Sequence, residues 1–262
     1  MTDTLILAQL DKSWRSTCKV LLGEEIGDLN SFADYLKIYT DPIVKRKSIL
    51  SGTDVTISSN RVPKTARVIG HNEMEAYAKK TASLPFNIND IKDIDSLVRA
   101  TKEKVVYAGN IVLGNSSNIL NSHRCVNTVY AIGCQDVYDG KYVAYTTSIR
   151  SPEYSFGCCF GGEIQFCIKV LDPHKQIRCL ETYHCNVASD SYYSASLEDC
   201  TNCIFSFNQR NKHYLIGNVP LAKDKYASLK AKLVKEFADE LKKKKKLPSV
   251  IQILSGKGDW NG

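Results

Sequence analysis

The chain has 262 residues, of which 43% are hydrophobic and 24% charged, which is the composition of an ordinary soluble globular protein. It is long enough to bury a substantial core, so it needs no disulfide or metal ion to fold. Residues 5–7 form an apolar run that is far too short for a signal peptide, and no stretch approaches the roughly 20 apolar residues of a membrane span. We therefore expect a cytoplasmic protein, in host cytoplasm or a virion if viral, without a membrane partner.

The net charge of +7 is concentrated near the C-terminus. Residues 223–246 contain ten lysines against four acidic residues, which gives +6 for this segment. A polyanion would touch the protein most readily there.

Hydrophobic spacing predicts a mixed helical and hairpin domain over residues 1–105, followed by a strand that leads into the next domain. Asp41 precedes a proline, which ends the second helix because a residue before proline avoids the helical region. The predicted elements are helices at 4–22, 30–39 (capped by Asn30 or Ser31), 72–80 and 89–104 (capped by Asn89 and Asp90), a hairpin centred on 51–54, a solvated turn at 45–47 and a strand at 66–69.

Residues 106–221 contain short β-type segments that recur after about two dozen residues. Such self-similarity is typical of stacked units, so this region is predicted to be a β-solenoid, similar to a β-helix, of four to five coils. Two interleaved series carry this recurrence. Tyr142, Phe166, Tyr192 and Tyr214 form the first series, and Cys134, Cys158 and Cys185 form the second.

Residues 222–262 are predicted to form a basic amphipathic helix of about twenty residues and a tail. The helix would lie on the solenoid or cap its open end, where strand edges and apolar interior are otherwise exposed. The apolar patch at 250–254 could add a short strand or bind a partner. The whole chain is thus assigned to the α+β class.

The block from Cys200 to Leu229 resembles a segment of uncharacterised Cys/Tyr-rich repeat proteins of phages, archaea and uncultivated bacteria. Those proteins share a C-x-x-C pair, an Arg-Asn-Lys-x-Tyr element and a Tyr-containing helix. The resemblance covers about the last half of the chain and implies no activity. Some members carry an N-terminal zinc-ribbon cysteine set, whereas this chain has only Cys18 there, so a zinc-ribbon role is not carried over. The matching residues are Cys200, Cys203, Arg210, Asn211, Lys212, Tyr214, Asn218 and Tyr226.

The pair Cys200 and Cys203 has the spacing of a zinc-binding or redox dithiol motif. A structural zinc site needs four ligands, and no second pair of suitable spacing exists, so His184, Cys185 or His213 would have to complete it. Because nine of the ten cysteines lie between Cys125 and Cys203 and no secretion signal precedes them, the simpler interpretation is reduced thiols stacked inside a narrow solenoid. No cofactor is expected.

Two enzyme hypotheses remain open. A thiol nucleophile could be drawn from Cys158, Cys159 or Cys185, but His184 and Cys185 are adjacent in a strand and their side chains would point to opposite faces. A carbohydrate-active site needs two carboxylates at a defined distance, which the sequence does not establish. The candidate acids are Glu163, Glu181, Asp190, Glu198 and Asp199.

Aromatic rings stack on bases and lysines neutralise phosphates, so a nucleic-acid interface is a further hypothesis. A solvated helix face, with cations at its negative C-terminal end, explains the same lysines without a ligand. The candidate nucleic-acid residues are Arg210, Lys212, Tyr214, Lys242, Lys243, Lys244, Lys245 and Lys246.

The sequence favours a non-enzymatic structural or assembly protein that uses a solenoid scaffold within a larger particle, either a virion or a ribonucleoprotein. Its partners would be other proteins of that assembly, with RNA or DNA and self-association as further possibilities. The first alternative is nucleic-acid binding through the lysine-rich C-terminal helix. The second is a carbohydrate-active or thiol-dependent solenoid enzyme.

Overall fold

The computed structural model describes residues 3–58, 62–82, 89, 91–102, 104–140, 142–150, 154–158, 161–170, 172–173, 175, 177–183 and 185–256. Within these residues the protein has a small, partly helical N-terminal region, a β-solenoid of about 8 turns and a long C-terminal helix. The predicted α+β architecture is therefore confirmed.

The helices within the described residues agree in part with the predicted ones. The long first and fifth helices are confirmed, whereas the predicted helix at 30–39 is broken into a short α-helix flanked by 3-10 turns at Leu29–Phe32 and Lys37–Tyr39. Its cap is Asp28, whose carboxylate accepts a hydrogen bond from the Ser31 amide at 3.0 Å. The helices are α1 (Asp3–Leu22), α2 (Ala33–Leu36), α3 (Met74–Ala82), α4 (Ile94–Thr101), α5 (Lys223–Lys244) and α6 (Val250–Leu254).

Helix α4 begins later than predicted because its capping residue is different. The Asp93 carboxylate accepts a hydrogen bond from the Ser96 amide at 2.7 Å and so satisfies an otherwise unpaired amide of the first turn. The predicted cap at Asn89 precedes the helix, and Asp90 lies outside the described residues.

The strands are short, and most of them are parallel. They are β1 (Ile43–Lys47), β2 (Asp54–Ser58), β3 (Val68–Gly70), β4 (Tyr107–Gly109), β5 (Val112–Leu113), β6 (Ser117–Leu120), β7 (His123–Val126), β8 (Val129–Ile132), β9 (Gln135–Tyr138), β10 (Thr147–Arg150), β11 (Ser155–Phe156), β12 (Cys167–Ile168), β13 (Asn186–Ser189), β14 (Ala195–Ile204), β15 (Phe207–Arg210), β16 (His213–Ile216) and β17 (Val219–Pro220).

One coil of the solenoid contains twelve residues, half the predicted length. From β6 onward, each pair of parallel strands joins residues that are twelve positions apart, as in the series Cys125, Val137 and Ile149. The predicted count of four to five coils was therefore too low, because the recurrence seen in the sequence spans two coils. Tyr142 and Phe166 are two coils apart, and the ring of Tyr154 is stacked between them.

The backbone turns after every third residue, which is how so short a coil closes. From Asn118 to Tyr142, and again from Val187 to Gly217, each third residue has a positive φ in the left-handed region. Asparagine and aspartate, as at Asn127 and Asp199, tolerate this conformation better than other side-chained residues. The coil is thus a sequence of four three-residue sides.

In most coils the residue that follows each turn points into the coil; Lys212 and Asn218, near the C-terminal end of the solenoid, are exposed instead. These interior positions hold small or medium apolar side chains and hydroxyls, among them Ala131, Cys134 and Val137, which have no exposed surface. Two clusters of buried residues fill the interior, and cysteines contribute to both. The interpretation of the cysteines as interior packing residues agrees with this arrangement.

A second, larger core lies outside the coils, between the solenoid and the helices. Phe156 and Ile168, which occupy the same position in consecutive coils, are fully buried in this core together with residues of α1, α2 and α5. The Trp14 ring of α1 packs against the Phe156 ring with centroids 5.4 Å apart. One side of the solenoid is thus covered by helices.

Strands close both ends of the solenoid. At the N-terminal end, β1 and β2 form the predicted antiparallel hairpin, and the Thr56 carbonyl accepts a hydrogen bond from the Asn110 amide at 3.1 Å. Gly109 allows this contact, because a Cβ there would clash with the Val55 side chain. Residues 45–47, predicted as a solvated turn, belong to β1, where Lys45 pairs with Thr56. At the other end, β17 pairs antiparallel with β16 and leads into α5.

Candidate functional site

Two of the three candidate nucleic-acid residues at the end of the solenoid, Arg210 and Tyr214, already contact other side chains of the protein. The Arg210 guanidinium donates to the Glu198 carboxylate from Nε at 2.7 Å and from Nη2 at 2.5 Å. The half-buried Tyr214 packs its ring against Tyr226 in the first turn of α5, with centroids 5.4 Å apart. Lys212 is exposed. Of these candidate side chains, Lys212 is thus the one that points to solvent without a described contact partner.

The lysines at the end of α5 are divided between internal contacts and solvent. Lys242 forms an ion pair with Glu24, and Lys244 forms one with Glu240 at 2.8 Å. The Lys245 ammonium lies 4.9 Å from the centre of the Phe32 ring. Lys243 and Lys246 are exposed.

The two halves of this candidate interface lie at opposite ends of α5. Tyr214 contacts Tyr226, whereas Lys242 follows sixteen residues later, which corresponds to about 24 Å along a helix. The structure therefore does not bring Arg210, Lys212 and Tyr214 together with the lysine run.

The Cys200 and Cys203 side chains lie inside the coil. The Cys200 thiol donates to the carbonyls of Glu198 at 3.3 Å and Gln209 at 3.4 Å, and the Cys203 thiol lies 3.6 Å from the Thr201 carbonyl. Both cysteines are buried and unbridged. Among the described residues, no three histidine, cysteine, aspartate or glutamate side chains are grouped so that they could hold a metal ion.

Burial also makes the interior thiols weak nucleophiles. It raises the pKa of Cys134, Cys185 and Cys203 to about 11, well above the ordinary thiol value of 9.0. The pKa of Cys167 is raised further, first by burial and then by the neighbouring Cys179 thiol. Since the thiolate is the reactive form, these groups do not favour nucleophilic chemistry at neutral pH. His184 and Cys159 lie outside the described residues.

The candidate acids of the carbohydrate hypothesis are distributed over separate coils. Glu163 lies 3.9 Å from Lys175, Asp190 lies 3.9 Å from Arg178, and Glu198 pairs with Arg210. In each of these pairs the two residues are one coil apart. Asp199 is exposed, and Glu181 is completely buried.

Glu181 lies at the centre of a buried polar cluster, the Glu181 network, which consists of Tyr35, Tyr39, Lys169, Glu181 and Tyr193. The Lys169 ammonium lies 3.2 Å from the Glu181 carboxylate, and neither side chain is exposed. Tyr39 and Tyr35 donate to the same carboxylate at 2.7 and 3.4 Å. A buried ion pair needs such additional hydrogen bonds, because its attraction alone does not offset the loss of hydration.

The Glu181 network joins three parts of the chain. Lys169, Glu181 and Tyr193 come from consecutive coils, and Tyr35 and Tyr39 from the N-terminal region. The Val250 amide at the start of α6 donates to Glu181 at 3.1 Å, so the predicted short strand of the tail is a docked helix. The network therefore fixes the N-terminal helices and the C-terminal tail on the same side of the solenoid.

Burial determines the electrostatics of the network. It lowers the pKa of Lys169, an effect that the Glu181 carboxylate opposes. It raises the pKa of Tyr35, Tyr39 and Tyr193, so the phenols remain protonated donors. The rings also contribute directly, since the Lys169 ammonium lies 4.3 Å from the centre of the Tyr35 ring and 4.9 Å from that of Tyr39. The network thus stabilises a buried ion pair between Lys169 and Glu181 through hydrogen bonds and aromatic rings.

Sequence reasoning missed the Glu181 network, although a signal for it exists. Lys169 and Glu181 are twelve residues apart, and so are Arg124 and Asp136, which form an ion pair at 2.9 Å. Opposite charges that recur at this step would have indicated the coil length. The tyrosines and cysteines recur after about two coils, so they did not reveal the twelve-residue step.

The half-buried aromatic residues of the repeats form a continuous stack. Consecutive ring centroids from Tyr130 through Tyr142 and Tyr154 to Phe166 are 5.6, 5.5 and 5.3 Å apart, with interplanar angles of 22° or less. The faces of the two middle rings are covered by their neighbours, so they are not available to bases. Packing within the stack explains these residues.

No helix in the described part of the chain combines the length and the hydrophobicity needed to cross a membrane. The resemblance of the block from Cys200 to Leu229 to Cys/Tyr-rich repeat proteins stays a prediction. The chain matches no protein-family model, no curated protein and no solved structure.

Proposed function

We propose that the chain is a non-enzymatic structural protein that uses its solenoid as a rigid scaffold within a larger particle, a virion or a ribonucleoprotein. The observation that carries this proposal is a largely exposed, regularly spaced face of the solenoid, the outer face. It consists of residues at steps of one or two coils: Val126 and Asn127, Tyr138 and Asp139, Gly162 and Glu163, Asn186 and Val187, Glu198 and Asp199, and Arg210 and Asn211.

The outer face lies half a coil from the apolar residues that the helices cover. Ile204 belongs to the covered side, and Arg210 follows it by six of the twelve residues of a coil. Side chains on a parallel sheet repeat about every 4.8 Å across its strands, so the outer face offers a partner a regular array of polar side chains. Its charged residues are four acids and one base, Arg210, which is paired with Glu198. Because the helices of the described chain cover only the opposite side, the outer face is free to contact neighbouring proteins of the particle.

Rigidity is the second support for a scaffold. The Glu181 network joins Tyr39 of the N-terminal region and the start of α6 to the solenoid, and the buried interior packs the coils against each other. A scaffold gains from such rigidity, because little conformational entropy is lost when a partner binds.

The test is sedimentation of a lysate from the native source through a gradient, with and without nuclease, with this protein followed by mass spectrometry. Migration with a particle that nuclease leaves intact supports the scaffold proposal in a protein shell. Migration with a particle that nuclease disperses supports it in a ribonucleoprotein. A protein found only at the top of the gradient contradicts the scaffold proposal.

The outer face itself is tested by charge reversal in the same source. Asp139→Lys with Asp199→Lys should shift the protein to the top of the gradient, because both residues are exposed on that face. The matched control, Glu75→Lys with Asp224→Lys, makes the same change in net charge at exposed positions elsewhere and should leave sedimentation unchanged.

Nucleic-acid binding is the second candidate function, and the exposed Lys243 and Lys246 favour it. Replacement of both by glutamate should lower the affinity for RNA or DNA and flatten its dependence on salt, since fewer counterions are released. Lys223→Glu with Lys225→Glu, at the opposite end of α5, is the matched control. Equal affinity of the Lys243/Lys246 variant and the unchanged protein would remove this candidate.

A further inference from the structure

The N-terminal region exposes an apolar stripe that the rest of the described chain leaves uncovered. The stripe consists of Ile94, Leu97, Val98 and Val105, whose exposed fractions are 79%, 40%, 54% and 66%. Ile94 and Val98 are one helical turn apart on α4, so they lie on the same face. Ile94 and Val105 are the two most exposed large hydrophobic residues of the described chain.

Apolar grooves lie on both sides of Val105. One, of about 390 Å³, is lined mainly by apolar residues, among them Val62, Pro63, Ala66 and Tyr107, with Arg67 and Lys102 also in its wall. The other, of about 370 Å³, is lined mainly by Ile69, Met74, Tyr77 and Ala78, with Thr81 and Lys104 at its polar side. Ile94 is therefore an exposed residue at the start of α4, and the two grooves beside Val105 form a concave surface after the end of α4.

The charges beside the stripe are arranged with opposite signs at its two ends. Asp95 lies in the first turn of α4, and Lys102 follows its last turn. Their helical positions place them on the same flank of the stripe, since seven residues make nearly two turns. Asp95 and Lys102 are both exposed, and neither forms an ion pair with another described residue.

We infer that a second copy of this chain covers the stripe, with the two α4 helices antiparallel about a twofold axis near Val98. In this arrangement Asp95 of each copy faces Lys102 of the other, so the charges that are separated within one chain become complementary between two. Ile94 of each copy then lies at the end of the other helix, where the grooves beside Val105 can receive it. A twofold interface is self-complementary in this way.

The interface is small. Stable interfaces bury about 1,200 to 2,000 Å² in total, and a two-turn helix with one flanking ridge supplies less than that. The dimer is consequently in equilibrium with the monomer and forms as the concentration rises. This inference is independent of the outer face, which lies on the solenoid.

The test is sedimentation-velocity analysis of the full chain over a range of concentrations. Asp95→Lys should weaken dimerisation roughly tenfold, because the symmetry places two like-charged contacts in the interface. The swapped double variant, Asp95→Lys with Lys102→Asp, should restore dimerisation. Glu236→Lys, an exposed change on α5, is the matched control and should dimerise like the unchanged chain.

Two further variants separate this pairing from other occupants of the stripe. Val98→Asp should weaken dimerisation roughly a hundredfold through loss of apolar burial, with an unchanged thermal unfolding curve. Val98→Cys should give a disulfide-linked dimer on treatment with diamide, whereas Val219→Cys, at a position that is 57% exposed, should not. A chain that is monomeric at every concentration, a dimer that is insensitive to Asp95→Lys, or a monomer that binds anionic lipid vesicles through the stripe would overturn the inference.

Discussion

At the scale of single residues, the buried Lys169–Glu181 ion pair is where we expect a single substitution to lower the free energy of unfolding strongly. Both side chains are fully buried, so removal of one partner leaves an uncompensated charge away from water. We expect Lys169→Met or Glu181→Gln to lower the free energy of unfolding by about 3 to 5 kcal/mol. The double variant Lys169→Met with Glu181→Gln should recover most of that loss, because it removes both charges and keeps an oxygen that accepts from Tyr39 and the Val250 amide. Urea denaturation measures all three.

The exposed pair Glu163 and Lys175 supplies the control. These residues are also one coil apart, but their side chains are 72% and 50% exposed. Glu163→Gln or Lys175→Met should change stability by less than about 1 kcal/mol. Equal losses at the buried and exposed pairs would show that the Glu181 network does not have the stabilising role assigned to it.

The interior thiols make stability sensitive to alkaline pH. In the folded chain the pKa of Cys203 is about 11, compared with an ordinary value of 9.0, because burial disfavours the thiolate. A raised pKa contributes stability that is fully present below pH 9 and is lost as the pH rises towards 11, since the unfolded chain ionises first. We expect the free energy of unfolding to fall over this window.

Substitution isolates the contribution of one thiol. The unfolding free energy of Cys203→Ala, measured by urea denaturation at pH 8 and pH 10.5, should fall less over this interval than that of the unchanged chain, by roughly 1 to 2 kcal/mol. Thr201→Ala, on the same strand, should retain the original pH dependence. An identical fall in all three proteins would argue against a buried, protonated Cys203.

At the scale of elements, the sequence predicted the helices whose buried apolar residues recur at a regular spacing. α1 and α5 were found because apolar residues recur every three or four positions in each helix, and the tertiary structure uses the same stripe. The hairpin was found from its turn residues, but its first strand was missed because Lys45, Arg46 and Lys47 suggested a solvated turn. A short edge strand can carry charges on its exposed side.

The coil length was missed for a physical reason. Interior positions accept any side chain of suitable size, so Cys125, Val137 and Ile149 occupy one position in three coils without a shared chemistry. The left-handed positions were the better signal, since Asn118, Asn121 and Asn127 already show the three-residue step. The Glu181 network depended on contacts across the fold, which no local pattern indicates.

The packing of α5 on the solenoid gives a prediction for a single element. The Phe237 ring lies 5.2 Å from that of Tyr193 and 6.0 Å from that of Phe205, and it is 2% exposed. Phe237→Ala should lower the free energy of unfolding by about 3 to 5 kcal/mol, because a buried aromatic side chain leaves a cavity. Leu229→Ala, at a position that is 36% exposed, should cost less than about 1 kcal/mol. Thermal or urea unfolding distinguishes the two.

At the scale of the whole molecule, the solenoid should tolerate removal of a complete coil better than removal of a nearly complete one. Deletion of residues 197–208 joins Ser196 to Gln209 and keeps each later residue in its place relative to the coils before it, since partners are twelve residues apart. Deletion of residues 197–207 shifts every later side chain by one position, which exchanges interior and exterior residues.

The two deletions have different expected unfolding curves. The twelve-residue deletion removes Phe205 and shifts the partners of α5 by about 4.8 Å, so we expect a lower melting temperature with a single cooperative transition. The eleven-residue deletion places polar side chains such as Asn208 and Asn211 towards the interior and should abolish cooperative unfolding beyond the junction. Circular dichroism and hydrogen exchange measure both outcomes. Loss of cooperativity in both proteins would contradict a solenoid of interchangeable twelve-residue coils, because only the shorter deletion changes which side chains face the interior.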